Sequence, residues 1–81
     1  MQVTVTLFAR ARDLAGAGQV MLELPAASRV ADLKRCLSQQ YPELASVAPN
    51  LLVSLGNDYA ADDALVATDA RVACFPPVSG G

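Results

Sequence analysis

Hydrophobic spacing along this chain changes from a period of two to a period near three and a half and back again, and that change limits the folds open to it. In "QVTVTLFA", Val3, Val5 and Leu7 alternate with Thr4, Thr6 and Phe8, which is the repeat of a strand buried on one face. "RARDLAGAG" reads as a short helical turn or loop, with Gly16 and Gly18 as its stop. "QVMLEL" alternates again through Val20, Leu22 and Leu24 until Pro25 ends it. These two strands predict an antiparallel pair. Val30, Leu33, Leu37, Tyr41 and Leu44 then recur at steps of three and four, the apolar stripe of a helix. Ser28 is the expected N-cap, with Asp32 near the positive end of the helix dipole and no capping box, and Pro42 is the expected stop. Cys36 lies off the centre of the stripe, as a partly buried spacer.

"LLVSL" predicts a third strand, Gly56–Asp58 a turn, and "RVACF" a last strand. A helix laid across one face of a mixed sheet is the usual way to bury this order of elements. The crossover rule allows the last strand to run parallel beside the first. The expected fold is therefore α+β, a ubiquitin-like β-grasp, with a mixed sheet of four to five strands and one main helix on one face. Residues 1–75 form the expected domain, and residues 76–81 an extended C-terminal tail.

Composition removes several function classes. The 81 residues make a single domain. Six Lys and Arg residues, scattered at Arg10, Arg12, Arg29, Lys34, Arg35 and Arg71, leave a net charge of −2. Binding to nucleic acid needs a clustered basic face, so no nucleic-acid partner is expected. No long apolar run is present, so no membrane span is expected and the cytoplasm is the expected location. Histidine is absent, which removes the usual general base, the Ser-His-Asp and Cys-His arrangements and the common zinc sets. Asp62, Asp63 and Asp69 lack ion-binding spacing and read as solvated turn acids, so no metal is expected. The two cysteines, Cys36 and Cys74, form no C-x-x-C unit and are expected as free thiols.

The end of the chain points elsewhere. In the last strand Val72 and Cys74 share the inward face, while Arg71, Ala73 and Phe75 share the wetter one. Phe75 and Phe8, the two phenylalanines of the sequence, should then form one exposed apolar patch if the first and last strands are neighbours. An exposed aromatic pair with a polar rim marks a partner surface. Pro76 and Pro77 end the sheet and favour an extended arm. Gly80 and Gly81 carry no side chain and suit a narrow channel in another protein. Adenylation by ATP would turn the α-carboxylate of Gly81 into a reactive mixed anhydride, and an acceptor thiol or persulfide could convert that to a thiocarboxylate. This is covalent carrier chemistry that needs no side chain.

The ending Phe75-Pro76-Pro77-Val78-Ser79-Gly80-Gly81 resembles the C-terminal signature of the small subunit of molybdopterin synthase, a sulfur-carrier family. "VTLFARARDLAG" and "VADL" are similar to the same family. The resemblance implies that an E1-like adenylyltransferase activates Gly81 with ATP and that a sulfurtransferase supplies the sulfur. The carrier itself binds no cofactor. The thiocarboxylate would enter the large synthase subunit, in a heterotetramer of two small and two large subunits, and give sulfur to cyclic pyranopterin monophosphate to form the molybdopterin dithiolene of the molybdenum cofactor. Phe8, Tyr59 and Phe75, followed by Pro76, Pro77, Val78 and Ser79, correspond to the partner-binding surface, and Gly80 and Gly81 to the reactive end. The chain would thus be non-catalytic alone. It departs from the family's usual Gly-Asp-Glu-Val before the last strand, having Asp69-Ala70-Arg71-Val72, and from the common asparagine at Gly56.

Three other readings compete. A sulfur carrier of the thiamine type shares the final Gly-Gly but typically lacks Pro-Pro-Val-Ser before it. A ubiquitin-like protein modifier shares an adenylated glycine but transfers it to lysines. A binding module with an inert tail would do neither.

Overall fold

The computed structural model describes residues 1–77, and Val78–Gly81 lie outside the described residues. Strands β1 (Gln2–Leu7) and β2 (Gln19–Glu23) pair antiparallel, with Val5 opposite Val20. Between them runs α1 (Ala9–Ala15), where the sequence left a choice between helical turn and loop. Gly16 ends α1 at φ 71°, and its N–H reaches the Arg12 carbonyl at 2.9 Å, a left-handed cap that glycine adopts without the Cβ penalty.

The stripe residues Val30, Leu33 and Leu37 are fully buried on α2 (Val30–Gln40), which ends before Pro42 as expected. Leu44 is equally buried but belongs to a separate 3₁₀ turn, Pro42–Leu44. The expected cap is displaced by one residue. Ser28 is not the N-cap: its hydroxyl donates to the Pro25 carbonyl at 2.7 Å, while Arg29 caps the helix. The Arg29 N–H donates to the Asp32 carboxylate at 2.8 Å. With the cap at Arg29, Asp32 is the third helical residue, so the acidic half of a capping box, which the sequence does not lead us to expect, is present with Asp in place of Glu or Gln. That hydrogen bond, followed by the Arg35 guanidinium, holds the Asp32 carboxyl below its usual range.

The chain then forms β3 (Leu52–Leu55), β4 (Asp58–Ala60) and β5 (Val72–Phe75). Gly56 at φ 67° occupies the first of two loop positions between Leu55 and Asp58, the place in such a hairpin that favours glycine. The five strands lie in the order β2-β1-β5-β3-β4. Only β1 and β5 are parallel, with Val5 beside Val72 and Leu7 beside Cys74.

The expected mixed sheet and the expected parallel pairing of first and last strands are both present, and the architecture is a β-grasp. Its core lies on one side of the sheet only, where Val5, Leu7, Val53, Val72 and Cys74 meet Leu33 and Leu37 of α2. A fully buried leucine contributes about 1.5–3 kcal/mol relative to an exposed one. Leu33, Leu37 and Leu44 hold the helical layer in this way. The opposite face, carrying Thr4, Thr6, Arg71, Ala73 and Phe75, has no covering layer among the described residues. No helix among them is long and apolar enough to cross a membrane.

Candidate functional site

The open face of the sheet ends in an aromatic cluster. Phe8 continues the outward alternation of Thr4 and Thr6, and its backbone is extended at φ −125° and ψ 153°. The next residue, Ala9, is left-handed at φ 53°, a conformation that costs a residue with a Cβ about 1–2 kcal/mol. This turn stops β1 and starts α1 while leaving the Phe8 ring on the sheet. The Phe8 N–H donates to the Cys74 carbonyl at 3.2 Å, which pins that ring beside β5.

On β5, Val72 and Cys74 are buried while Phe75 is half-buried and faces outward, as the alternation predicts. The rings of Phe8 and Phe75 stack with centroids 4.6 Å apart and planes 5° from parallel. Tyr59 of β4 meets Phe75 edge-on, at 6.0 Å and 69°. Tyr59 is 71% exposed and Phe8 42% exposed, so the cluster faces solvent instead of filling the core. The geometry thus brings together the three aromatic residues singled out in the sequence. Leu52, which the sequence reading passed over, is the register partner of Phe75 and is 39% exposed. Its signal lay in the alternation of "LLVSL", where Leu52 and Ser54 share the outward face. An apolar patch of this kind on a small domain is characteristic of a contact surface.

The cluster stands where the chain leaves the sheet. Phe75 is the last residue of β5, and Pro76 and Pro77 follow at once. The prolines line a groove of about 290 Å³ with Arg10, Val47, Asn50 and Leu51. The remaining expected site residues, Val78, Ser79, Gly80 and Gly81, lie outside the described residues.

Several titratable groups away from the cluster have structural partners. Asp62 pairs with Lys34 at 2.9 Å, and the Asp63 carbonyl accepts from the Arg29 guanidinium at 2.6 Å, tying their loop to α2. Among the described residues no three His, Cys, Asp or Glu side chains are placed to hold a metal ion together. Burial pushes the Cys74 thiol up to about 12. Iodoacetamide at pH 8 is therefore expected to leave Cys74 unmodified in the folded protein and to label it after unfolding. Peptide mapping by mass reads this directly, and labelling of Cys74 in the folded state as fast as Cys36 would contradict its burial.

The family model described as the ThiS family matches residues 5–81. The chain belongs to the ThiS family. It is similar to the molybdopterin synthase sulfur carrier subunit of Arabidopsis thaliana, with 33% identity over 84 residues that cover 100% of this chain and 84% of that relative. The sulfur carrier subunit of Chlamydomonas reinhardtii is 31% identical over 83 residues, covering 100% of both. Among solved structures, SAMP1 of Haloferax volcanii, a small archaeal modifier protein, has a TM-score of 0.83 at 27% identity over 100% of both chains. The resemblance to the molybdopterin synthase small subunit and the β-grasp reading are both borne out. In this ThiS-family chain the stacked pair of phenylalanines sits at the base of the segment that carries the Gly-Gly ending.

Proposed function

We propose that this chain is the sulfur-carrying small subunit of a molybdopterin synthase. The observation that carries the reading is the position of Phe75. It is the middle ring of the exposed cluster and also the residue from which the Pro76–Pro77 arm departs. A partner that grips the cluster therefore receives the arm at a set place and in a set direction. The curated relatives, named as sulfur carrier subunits, support this assignment.

The carboxylate of Gly81 attacks the α-phosphorus of ATP in the active site of an E1-like adenylyltransferase, and pyrophosphate leaves. A persulfide sulfur of a sulfurtransferase then displaces AMP, and a thiol cleaves the resulting acyl disulfide to leave a thiocarboxylate. Docked on the large synthase subunit, in a heterotetramer, this sulfur is delivered to cyclic pyranopterin monophosphate. Two deliveries complete the dithiolene of the molybdenum cofactor. The described residues are the domain that presents the reactive end, and ATP is bound by the activating enzyme. The reading places the chain in the cytoplasm, with no nucleic acid or membrane as partner.

The likeness to a small archaeal modifier protein favours a second reading, in which activated Gly81 is transferred to lysines of other proteins. The chain's own Lys34 is a poor acceptor, since its side chain is 15% exposed and its ammonium is held by Asp62. Intact mass after incubation with the activating enzyme, ATP and a sulfur donor separates the readings. A carrier exchanges one oxygen for sulfur, and a modifier appears linked to other proteins. A chain that does neither is an inert module, and the proposal fails.

A further inference from the structure

The aromatic cluster occupies one end of the open sheet face, and the other end has a different chemistry. There Thr4, Thr6 and Gln19 from β1 and β2 face Ala70, Arg71 and Val72 across a groove of about 280 Å³. No carboxylate lines this groove. Arg71 is exposed and, like Arg10 and Arg12, makes no ion pair among the described residues, whereas Lys34 and Arg35 are paired with Asp62 and Asp32. Its backbone is nevertheless held, because the Arg71 carbonyl accepts the Gly56 N–H at 2.9 Å. Strand alternation turns Arg71 to the same side as Ala73 and Phe75, since Val72 and Cys74 between them are buried.

Phe75 lies four residue steps beyond Arg71, so about 13 Å of extended chain lies between the guanidinium's attachment and the stacked rings. The intervening surface is made of the small, half-buried side chains of Thr6 and Ala73, which are register neighbours, with the buried Ser54 beside Ala73. A partner can lie flat across it. Interfaces set an apolar centre inside a polar rim, and rim charges steer the approach and fix the register. On a chain of net charge −2, an acidic side chain arriving at this face meets attraction at Arg71. A single guanidinium cannot hold a phosphate backbone, which needs several cations. The geometry points to a protein partner that grips the Phe8–Tyr59–Phe75 cluster and carries a carboxylate side chain about 13 Å away that pairs with Arg71.

This inference rests on the docking reading above and adds the charge chemistry of the partner. The test titrates the large synthase subunit from the same source with the unmodified chain, Arg71→Gln, Arg71→Glu and Phe75→Ala. Each is measured at low salt and at about 1 M salt, where screening acts within about 3 Å. Arg71→Glu is expected to weaken binding about tenfold at low salt, Arg71→Gln less, with both differences shrinking at high salt. Mutating the facing acid of the large subunit to lysine is expected to restore binding of Arg71→Glu. Melting temperatures of both Arg71 variants should stay near that of the unmodified chain, because Arg71 holds no ion pair that folding needs. Unchanged binding and salt dependence in Arg71→Glu, with Phe75→Ala weakened, overturns this inference alone. If Phe75→Ala also binds normally, or the unmodified chain does not bind at all, the docking reading falls and this inference with it.

Discussion

A chain lacking Gly81 is expected to fold normally and to accept no AMP. Among the described residues the five strands and two α-helices lie within Gln2–Phe75, and glycine carries no side chain, so the deletion removes none from the core. The melting temperature should therefore be unchanged. The proposed chemistry should respond differently, because adenylation would act on the α-carboxylate, and shortening the arm by one residue withdraws that group by about 3.5 Å. Displacement of this size from a reactive geometry is enough to cost orders of magnitude in rate. Adding a residue after Gly81 should have the same effect by putting a side chain where the carboxylate belongs. Gly80→Val tests the channel separately: the carboxylate remains, but a β-branched side chain obstructs its path. Intact mass with the activating enzyme and ATP reads all three variants. An adenylated Gly81-deleted chain would refute the carrier mechanism, and Gly80→Val reacting at the normal rate would refute the channel.

The second large effect is expected at Phe75, where fold and docking separate. A phenylalanine in a packed core costs about 3–5 kcal/mol when cut to alanine. Phe75 is half-buried, stacked on Phe8 and met edge-on by Tyr59. Its removal should cost the free domain less, about 1–2 kcal/mol, since an aromatic pair contributes about 0.5–1.5 kcal/mol beyond its burial. In the proposed complex with the large subunit the same ring would lie at the centre of the contact, since it is the middle ring of the cluster. Truncation of such a residue is expected to weaken binding at least about tenfold, roughly 1.4 kcal/mol. Tyr59→Ala provides a control, because Tyr59 is 71% exposed and contributes little to folding. Thermal denaturation and titration on one preparation decide the matter. Unfolding of Phe75→Ala alone would make Phe75 a core residue. Normal binding by both variants would remove the cluster from the interface.

Much of this arrangement is legible in the residues because the physics that sets it is local. A period of two buries Val3, Val5 and Leu7 and exposes Thr4 and Phe8, and the same count on the last strand turns Phe75 outward. Adjacency of the two phenylalanines then follows from one topological rule, the parallel pairing of first and last strands. What escaped the sequence depends on tertiary choices. Ser28 is a good N-cap by type, yet its hydroxyl goes to Pro25, and the cap passes to Arg29 because Asp32 is positioned to take its N–H. Strand β4 has only three residues, too few to show alternation, and exists because β3 offers it an edge. Ala9 gives no sign of a left-handed backbone, which only the turn from β1 into α1 imposes. At the site, the rings could be placed on a face but Leu52 was passed over, because its exposure depends on β3 lying beside β5.

The sheet order also bears on how the molecule is made. Strand β5 is the last of the five to leave the ribosome, yet it lies in the middle, between the β1–β2 and β3–β4 pairs. Val72 must find Val5 across most of the domain's length, and contacts so distant in sequence form only when nearly all of the chain is available. A nascent chain stalled before Val72 therefore holds the β1–β2 and β3–β4 pairs without the strand that lies between them, and it lacks Phe75, the middle ring of the exposed cluster. Under the proposed function, synthesis and presentation would become one event, and unfinished chains would not compete with finished ones for the enzyme that activates the terminus.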